Sequence, residues 1–458
     1  MTTSDIAPNP SAAPRKGAEL ELAFTDLLAN GQGVGRSGGL VVFCFGPLPG
    51  ETARVRITDV KPSYAVAEAL AIVRESPARA QPFCAVFGAC GGCQLQHLAY
   101  PSQLEWKRNA VLAALQRIGG HENVDVNATI GMEHPRHYRN KMSLVIDRAD
   151  DPPGFGFYRQ RSHAVVPIDT CPIVTTKLND DLRALHADRG KPAVTAMLHD
   201  ARHLVARSSN ATGTSVLTIT GAQDSPDARR AAPVLMRDVP GLAGITNSFD
   251  LSSANAILGR RHRLLAGVAD IEEEIGGLRY RVSAGSFFQV NVAMVAKIFE
   301  YLEPRSTPPR RIVDLYCGVG TFALFFAKHG WSVDGVEESA GAIDEARANA
   351  RRNGLEDTAR FTTGKVEQVV GAPAFQQTLR AAHVLFLDPP RKGCDETTLH
   401  AIAEARVPAL WYLSCDPATL ARDSKFLVAK GYRLGTVQPF DMFPQTGHVE
   451  TFAELEYR

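Results

Sequence analysis

Four short segments near the start of the chain have the hydrophobic patterns of β-strands, and in one of them hydrophobic and polar residues clearly alternate. In residues 53–60, for example, Val55, Ile57 and Val60 interrupt polar residues. Turn signals such as NGQGVGRSGG and PLPGE separate the segments. The pattern predicts a small barrel, or another small β-domain, built from ELELAFTDL, GLVVFCF, ARVRITDV and YAVAEALAIV.

The middle of the chain mixes the strand and helix periodicities. Residues 101–118 have the pattern of an amphipathic helix that opens at Pro101 and closes at Gly119-Gly120. The mixed pattern over residues 126 to about 285 predicts an α+β domain. Its predicted strands are KMSLVID, HLVARSS, SVLTIT and RYRVSAGSFFQV, and its predicted helices are KLNDDLRALHA and SPDARRAAPVLMRD.

From about residue 286, short apolar strands alternate regularly with amphipathic helices. This predicts an α/β fold in which helices cover both faces of a parallel sheet. The predicted strands are RIVDLYCG, SVDGVE, ARFTTGK, HVLFLDPP and LWYLSCD. The predicted helices are TFALFFAKHG, SAGAIDEARANARRNG, ETTLHAIAEA and PATLARDSKFLVAKG. Ligands of such sheets bind beyond the carboxyl ends of the strands, so the residues after each strand are the candidate site.

Length and composition restrict the class of protein. The 458 residues suggest two to four domains, and 45% hydrophobic with 22% charged residues is an ordinary globular composition. The net charge of +1 excludes a histone-like polycation but allows a local basic patch. Residues 1–16 lack the pattern of a signal peptide and predict a disordered tail. No apolar run is long enough for a transmembrane helix, so we expect a cytoplasmic protein, and no obligate protein partner is evident.

A glycine-rich turn follows the first strand of the α/β region. In DLYCGVG, which begins at Asp314, Gly318 and Gly320 allow a sharp turn and the close approach of a ligand. The third glycine of dinucleotide-binding turns is missing, which weakens a pyrophosphate-binding interpretation. Glu337 ends the next strand, where an acid accepts hydrogen bonds from ribose hydroxyls. Together these elements resemble the S-adenosylmethionine site of class I methyltransferases; a dinucleotide site or a structural turn is the alternative.

Two further candidates end the fourth and fifth strands. Asp388 opens DPPRKG, and a [DN]-P-P-x element at this place is typical of class I methyltransferases that act on planar nitrogen-containing groups. Cys415 precedes a predicted helix start at Pro417, a placement expected to lower the pKa of the thiol. The alternatives are an ordinary loop at Asp388 and inert packing of Cys415.

A thiol has a specific use in methylating uracil. Carbon C5 of uracil is a poor nucleophile, but addition of a thiolate at C6 makes an enolate whose C5 attacks an electrophilic methyl group. A base must then remove the proton from C5. Glu450, in GHVET, precedes the apolar segment 451–455 and is the candidate base, or else a surface carboxylate. Cys317 is a weaker candidate nucleophile, no role is assigned to Cys394, and Cys44 is expected to pack in a barrel strand.

Four other cysteines form a possible metal site. Cys84, Cys90 and Cys93 occur as C-x5-C-G-G-C, and Cys171 follows far downstream before a proline. Four thiolates hold either zinc or an iron–sulfur cluster. Three local cysteines with one distant cysteine, and the proline after the last, favour the cluster over zinc.

At these residues the chain resembles the RNA uracil C5-methyltransferase family. The matching motifs, in order, are SFFQVN, DLYCGVGTFAL, GVE, LDPPRKG, LSCDP and FPQTGHVE. The resemblance implies that Cys415 is the nucleophile and Glu450 the proton acceptor. It also implies that five residues contact S-adenosylmethionine or frame its pocket: Gln289, Tyr316, Thr321, Glu337 and Asp388. Family members with an amino-terminal TRAM domain often carry a [4Fe–4S] cluster, which the resemblance assigns to Cys84, Cys90, Cys93 and Cys171.

The amino-terminal segment is similar to a TRAM domain, an OB-like RNA-binding barrel, from GQGVGR at residue 31 to LPGE at residue 48. A local basic patch there would comprise Arg54, Arg56, Lys61 and Tyr64. A second candidate RNA contact is HPRHYRNK, in which Arg136, Arg139 and Lys141 surround Tyr138; a solvated basic strand start is the alternative.

These observations predict a tail at 1–16, a TRAM barrel at 17–78, a cluster-bearing α+β region at 79–285 and a Rossmann-like methyltransferase domain at 286–458. The resemblance implies methyl transfer from S-adenosylmethionine to C5 of a uridine in RNA. TRAM and cluster together most resemble the branch that acts on 23S ribosomal RNA, while transfer RNA, base-nitrogen methylation and non-catalytic RNA binding are the alternatives. The target uridine must leave its stack to reach Cys415.

Overall fold

The computed structural model describes residues 14–253, 256–283, 285–308 and 310–458. The predicted disordered tail lies outside the described residues as far as residue 13. The chain forms two compact units, residues 1–103 with 445–448, and residues 104–444 with 449–458. Within the described ranges, no helix is both long and apolar enough to cross a membrane.

The first unit contains a closed five-stranded barrel, which confirms the predicted barrel. Its strands follow one another around the barrel in the order β1-β2-β3-β5-β4, with β3 and β5 parallel. Side chains that alternate along the strands fill its interior, among them Phe24, Val42 and Val55. The strands are β1 (Glu19–Leu27), β2 (Gln32–Ser37), β3 (Leu40–Phe45), β4 (Thr52–Val60) and β5 (Tyr64–Arg74).

Strand β2 corrects the sequence interpretation, which assigned this glycine-rich stretch to a turn. Gly33 and Gly35 lie inside the strand because neighbouring backbone approaches them closely. A Cβ atom on Gly33 would lie 2.4 Å from the carbonyl oxygen of Pro47, and one on Gly35 would lie 3.0 Å from that of Ala23. Glycine therefore serves close packing here rather than chain reversal.

Residues 445–448 belong to the first unit although they are close to the carboxyl terminus of the chain. The side-chain amide of Gln103 donates to Oε1 of Gln445 at 2.9 Å, and its own Oε1 accepts from the Gln445 N–H at 3.1 Å. The Gln445 carbonyl accepts from the N–H groups of Gln94 and Leu95. At Gly447, a Cβ atom would lie 1.9 Å from the carbonyl oxygen of Ala29, so only glycine fits.

The helix predicted at 101–118 is confirmed as α1 (Tyr100–Arg117). A seven-stranded sheet follows in the order β12-β11-β10-β9-β6-β7-β8. Its strands are β6 (Lys141–Asp147), β7 (Gly154–Tyr158), β8 (Val165–Pro167), β9 (His203–Ser208), β10 (Ser215–Thr220), β11 (Leu242–Phe249) and β12 (Arg261–Gly267). Its helices are α2 (Thr176–Asp188), α3 (Pro192–Asp200) and α4 (Pro226–Asp238). The hairpin β13 (Asp270–Ile275) and β14 (Leu278–Ser283) packs into the core of the next layer.

The predicted α/β region is confirmed as a second seven-stranded sheet, ordered β17-β16-β15-β18-β19-β21-β20, in which β21 runs antiparallel to both of its neighbours. The strands are β15 (Arg311–Leu315), β16 (Ser332–Glu337), β17 (Ala359–Thr363), β18 (Val384–Leu387), β19 (Ala409–Ser414), β20 (Tyr432–Phe440) and β21 (Glu450–Tyr457). The helices are α5 (Val292–Leu302), α6 (Thr321–Lys328), α7 (Ala340–Arg352), α8 (Val366–Gly371), α9 (Pro373–Ala381), α10 (Glu396–Ala405) and α11 (Pro417–Ala429). Strand order reverses between β15 and β18, which marks the usual ligand position.

A fully buried ion pair fixes the segment between β20 and β21. Lys107 of α1 contacts Asp441, and neither side chain has any exposed surface. The Lys107 ammonium also donates to the carbonyl of Phe443 at 3.1 Å. The carbonyls on either side of Phe443 are also bonded. The side chain of Asn291 donates to the Met442 carbonyl and the hydroxyl of Tyr138 donates to the Pro444 carbonyl, each at 3.0 Å. The path of residues 441–444 is therefore set before the chain reaches Glu450.

We expect Lys107→Met to lower the free energy of unfolding by about 3–5 kcal/mol, because it leaves the Asp441 carboxylate buried without its partner. The double variant Lys107→Met/Asp441→Leu should recover most of this loss. Urea unfolding followed by circular dichroism measures both. Equal destabilisation of the single and double variants would instead assign the effect to lost packing.

Candidate active site

Strand pairing brings Cys415 and Glu450 together. In the antiparallel ladder between β19 and β21, Ser414 pairs with Thr451. One residue further in the same register, Cys415 just after β19 lies opposite Glu450, the first residue of β21. The two residues are therefore at the end of the sheet where the parallel strands have their carboxyl termini. Cys415 is half-buried and Glu450 is only 3% exposed. Two residues 35 positions apart in sequence therefore share one site.

Buried carboxyl groups surround this pair. Asp388 follows β18, the strand beside β19, and burial raises its pKa to about 7. Burial, and then the charge of Asp388, raise the pKa of Glu450 well above its usual value. Oxygen Oε1 of Glu450 has no hydrogen-bond partner among the described residues. Glu450 is thus a carboxyl group with a raised proton affinity and an unused oxygen, as a general base requires.

The expectation of a lowered thiol pKa at Cys415 is wrong for the protein without ligand. Burial, followed by the charges of Glu450 and Asp388, raises the pKa of Cys415 to about 12. The α11 N-terminus does not offset this, because the Asp416 side chain caps it and accepts from the N–H of Ala418 at 2.8 Å. The cap satisfies the helix N–H groups and adds another negative charge beside the thiol.

Arg391 is a site residue that the sequence analysis did not single out. Its positive charge lowers the pKa of both Cys415 and Glu450. It is an exposed residue of the DPPRKG loop. Its place after Asp388 in that motif was the available signal, but a sequence motif gives no direction for the side chain.

The predicted cofactor turn has the geometry of a ligand cradle. Gly318 adopts φ +54°, and a Cβ atom there would meet nothing within 4 Å. Glu337 accepts from the Gly318 N–H at 3.3 Å and from the Ser339 N–H at 2.8 Å. Helix α6 begins after Gly320, which has no side chain to cap it, and in its first turn the Ala323 N–H donates to the carboxylate of Asp314. Open space beside an acid fits a nucleoside with ribose hydroxyls.

Asp314, at the start of the same motif, was also not singled out. It is 1% exposed, and burial, followed by the charge of Asp388, raises its pKa well above its usual value. Its Oδ2 atom has no hydrogen-bond partner within the described part of the chain. An unpaired buried oxygen beside the turn is a further feature that a bound ligand would satisfy.

The other predicted cofactor residues lie around this turn in different ways. Gln289 is 8% exposed in the segment before α5, and Thr321 is equally buried at the start of α6. Tyr316 enters the turn with φ +66°, while its hydroxyl contacts Thr398 and Cys394. Its backbone therefore shapes the turn, and its phenol points into the packing against α10.

The cysteines divide between the two units. Cys84, Cys90 and Cys93 are half-buried residues of the first unit, and Cys171 is a half-buried residue of the second. The Gly92 N–H donates to Sγ of Cys90 at 3.4 Å, an interaction that suits a thiolate. Throughout the described ranges, no group of three or more His, Cys, Asp or Glu side chains is arranged to hold a metal ion. Cys44, Cys317 and Cys394 are buried.

The structure changes the interpretation of the two predicted RNA-binding patches. Tyr138 is only 4% exposed and its hydroxyl bonds the carbonyl of Pro444, so the expectation that it stacks on RNA is wrong for this conformation. In the barrel, Arg56 forms ion pairs with two glutamates, Glu19 and Glu68, and Lys61 pairs with Asp59. The barrel patch is therefore partly neutralised.

We expect Arg391→Gln to slow alkylation of Cys415 by iodoacetamide at pH 9 by about threefold. Loss of the guanidinium removes the charge that favours the thiolate, and threefold corresponds to about half a pKa unit at this exposed position. Mass spectrometry of the Cys415 peptide measures the rate. Lys392→Gln is the matched control in the same loop, and an equal effect there would show that only the overall charge matters.

The comparisons with known proteins agree on one family. Residues 99–458 match the family model described as tRNA (Uracil-5-)-methyltransferase, and residues 15–70 match the TRAM domain. An uncharacterized RNA methyltransferase of Clostridium acetobutylicum is 36% identical over 459 residues, which cover 96% of this chain and 98% of the relative. One of Thermosynechococcus vestitus is 39% identical over 450 residues, with the same coverage.

A solved structure supports the fold. The Pyrococcus abyssi tRNA (uracil-54, C5)-methyltransferase in complex with S-adenosyl-L-homocysteine matches with a TM-score of 0.73 and 24% identity, over 95% of this chain and all of that one. The family model spans most of the chain, and both curated relatives cover nearly all of it. The chain therefore belongs to the tRNA (uracil-5-)-methyltransferase family, a family of S-adenosylmethionine-dependent RNA methyltransferases, and carries an amino-terminal TRAM domain.

Proposed function

We propose that the protein methylates C5 of a uridine in RNA through a covalent bond between Cys415 and C6 of the uracil ring. The observation that carries this proposal is the pairing of β19 with β21, which sets Cys415 opposite Glu450. A nucleophile and a base on the same sheet edge as a nucleotide-binding turn suit C5 methylation. Methylation of a base nitrogen would need neither the thiol nor the second carboxyl group.

Bound S-adenosylmethionine supplies an electrophilic methyl group. Cys415 gives its proton to one of the neighbouring carboxylates as its sulfur bonds to C6 of uracil. The electron pair displaced from the C5–C6 double bond makes C5 nucleophilic, and C5 forms its bond to the methyl carbon while S-adenosylhomocysteine leaves. The positive charge of Arg391 favours the thiolate at the start of this sequence.

Glu450 completes the reaction. After methylation, C5 carries both a proton and the new methyl group, and Glu450 removes that proton. The released electron pair restores the C5–C6 double bond and expels the Cys415 sulfur, which takes a proton back. The raised pKa of Glu450 makes it a stronger proton acceptor than an exposed glutamate.

The residues around the turn have separate tasks in this proposal. Glu337 holds the ribose hydroxyls of S-adenosylmethionine, and Gln289 and Thr321 line the pocket. Asp388 would contact the bound S-adenosylmethionine, and its neutral form at pH values below about 7 would limit repulsion of the Cys415 thiolate. Tyr316 acts through its backbone.

We propose 23S ribosomal RNA as the substrate, methylated in the cytoplasm, with the TRAM barrel as an RNA-binding module. The combination of a TRAM barrel with a C-x5-C-G-G-C sequence supports this choice. Transfer RNA is the second candidate, because the description of the matching family model names it. Incubation with both transcripts and labelled S-adenosylmethionine, followed by mass spectrometry of nucleosides, separates the two substrates and identifies the methylated position.

Cys415→Ala should yield no 5-methyluridine, a loss of at least about 10³-fold, because the thiol begins the covalent sequence. It should also form no adduct with 5-fluorouridine RNA on a denaturing gel. Cys44→Ala, which alters a buried barrel cysteine, is the control and should retain methyl transfer. Full activity of Cys415→Ala, or methylation of a nitrogen, would refute the mechanism.

Glu450→Gln should separate adduct formation from release. Without the base, C5 keeps its proton, so the methylated RNA should remain bonded to Cys415 and accumulate as a protein–RNA band with ordinary uridine RNA. Turnover should fall by about 10²–10⁴-fold. Free 5-methyluridine at the normal rate would exclude Glu450 as the base.

We further propose that Cys84, Cys90, Cys93 and Cys171 hold a [4Fe–4S] cluster. Protein purified anaerobically should show the broad cluster absorbance near 400 nm, with about four iron and four sulfide per chain. Cys90→Ser should lose both, whereas Cys317→Ser should keep them. Stoichiometric zinc without sulfide would replace the cluster by a zinc site.

A further inference from the structure

Two cations lie opposite each other in the central sheet, and neither is in a salt bridge with another residue of the described ranges. Lys141 on β6 and Arg207 on β9 are directly opposite each other in the antiparallel ladder, so their side chains share one face of the sheet. Arg139 is close by, and its Nε atom donates to the Lys141 carbonyl at 2.9 Å. Like charges directly opposite each other destabilise a sheet, so this arrangement calls for a compensating group.

Arg207 is buried with most of its hydrogen-bonding capacity unused. It is 2% exposed, and neither Nε nor Nη1 has a hydrogen-bond partner in the described part of the chain. Its Nη2 atom donates to the carbonyl of Ser286 at 3.2 Å. Buried guanidinium groups are normally paired, so two unpaired nitrogens indicate a position prepared for an acceptor.

The neighbouring acids do not fill this position. Among the described residues, the charges that act on Lys141 are those of two cations, Arg207 and Arg139, and the carboxylates that act on Arg207 are those of Glu345 and Glu273. Glu345 instead accepts from the Ser286 hydroxyl at 2.6 Å. Glu273 accepts from three backbone N–H groups, those of Asn210, Ala211 and Glu274.

The electrostatics of the two side chains favour a negatively charged ligand between them. Burial, followed by the charges of Arg207 and Arg139, lowers the pKa of Lys141 to about 8. Burial lowers the pKa of Arg207 to about 10. An anion between the two side chains would reverse both effects, because it favours the charged form of each cation.

We propose that Lys141 and Arg207 bind one phosphate of the RNA backbone, and we call this pair the Lys141–Arg207 site. The fork of the guanidinium matches two phosphate oxygens, and Lys141, which unlike Arg207 keeps part of its side chain exposed, marks the side of the sheet from which a phosphate would enter. The inference rests on the proposed function only in taking RNA as the ligand; it does not require methylation at C5.

The position of the site explains what such a contact achieves. Arg207 touches Ser286, in the segment that leads to Gln289 and α5. The Asn140 side chain, one residue before Lys141, donates to the Gln289 carbonyl at 3.4 Å. A phosphate bound here is therefore held beside the segment that carries a predicted cofactor residue, which would align the RNA strand with the reaction site.

The test measures RNA binding rather than methyl transfer. The probe is whichever labelled transcript, 23S ribosomal or transfer RNA, binds wild-type protein more tightly in filter binding between about 50 and 200 mM KCl. Arg207→Gln and Lys141→Gln should each weaken binding about tenfold at low salt. The slope of log affinity against log salt should become shallower by about 0.7–0.9 for the lost phosphate contact. Arg148→Gln, which removes a cation that bonds backbone carbonyls near the end of β6, should change neither quantity.

Thermal unfolding without RNA separates binding from folding. Arg207→Gln should keep or raise the unfolding midpoint, because it removes a buried, poorly paired charge. A midpoint that falls together with affinity, at an unchanged salt slope, would make Arg207 a structural residue and overturn the proposal. Unchanged RNA affinity in both variants would also overturn it.

Two further outcomes distinguish an RNA-phosphate site from a free-phosphate site and from the proposed C5 methylation. If inorganic phosphate at constant ionic strength stabilises wild-type protein but not Arg207→Gln, while RNA binding is unaffected, the site takes free phosphate and the RNA proposal fails. If wild-type protein binds RNA with the expected variant effects but forms no 5-methyluridine, the proposed C5 activity fails while the Lys141–Arg207 site stands.

Discussion

The insertion of one antiparallel strand between two parallel ones is the constraint on which the site depends. Because β21 enters the sheet beside β19 in the opposite direction, its first residue meets the end of β19. A register shift of one residue would turn the Glu450 side chain to the other face. The segment before Glu450 is correspondingly fixed, by the Lys107–Asp441 ion pair and by bonds to successive carbonyls. The geometry of the proposed active site is thus secured by buried polar groups that have no role in the proposed reaction.

The same edge gathers more negative groups than a reactive thiol alone would favour. Burial, followed by the charges of Glu450, Asp388 and Asp416, raises the pKa of Cys415, and the charge of Arg391 opposes this shift. In the protein without ligand the thiol is consequently protonated at neutral pH, which slows its alkylation and oxidation. Reactivity then depends on what enters the site, since a cationic sulfonium and a polarised uracil ring change this balance of charges.

The candidate site residues were recognisable in the sequence, but their burial and electrostatic surroundings were predictable only in part. Cys415, Glu450 and the glycine turn were recognisable because each follows or precedes a strand with a clear apolar pattern. The raised pKa of Cys415 was not, because it arises from burial, then from the charges of Glu450 and Asp388 on other strands, and least from the Asp416 cap. Strand β2 was missed because glycine signals a turn unless the backbone that packs against it is known. Tyr138 was misassigned for a similar reason, since burial cannot be read from an aromatic between basic residues. Arg207 carried no signal at all.

The discontinuous composition of the first unit has a consequence for biosynthesis. Gln445 and Gly447 are packed into this unit by contacts with Gln103 and Ala29. A nascent chain folds from its amino terminus as it is made, yet these contacts form only after residues 445–448 have been synthesised. The barrel strands can assemble early, but the unit is completed only after residues 104–444 have been synthesised. A truncated chain that stops before residue 445 would therefore lack both β21 and the residues that complete the amino-terminal unit.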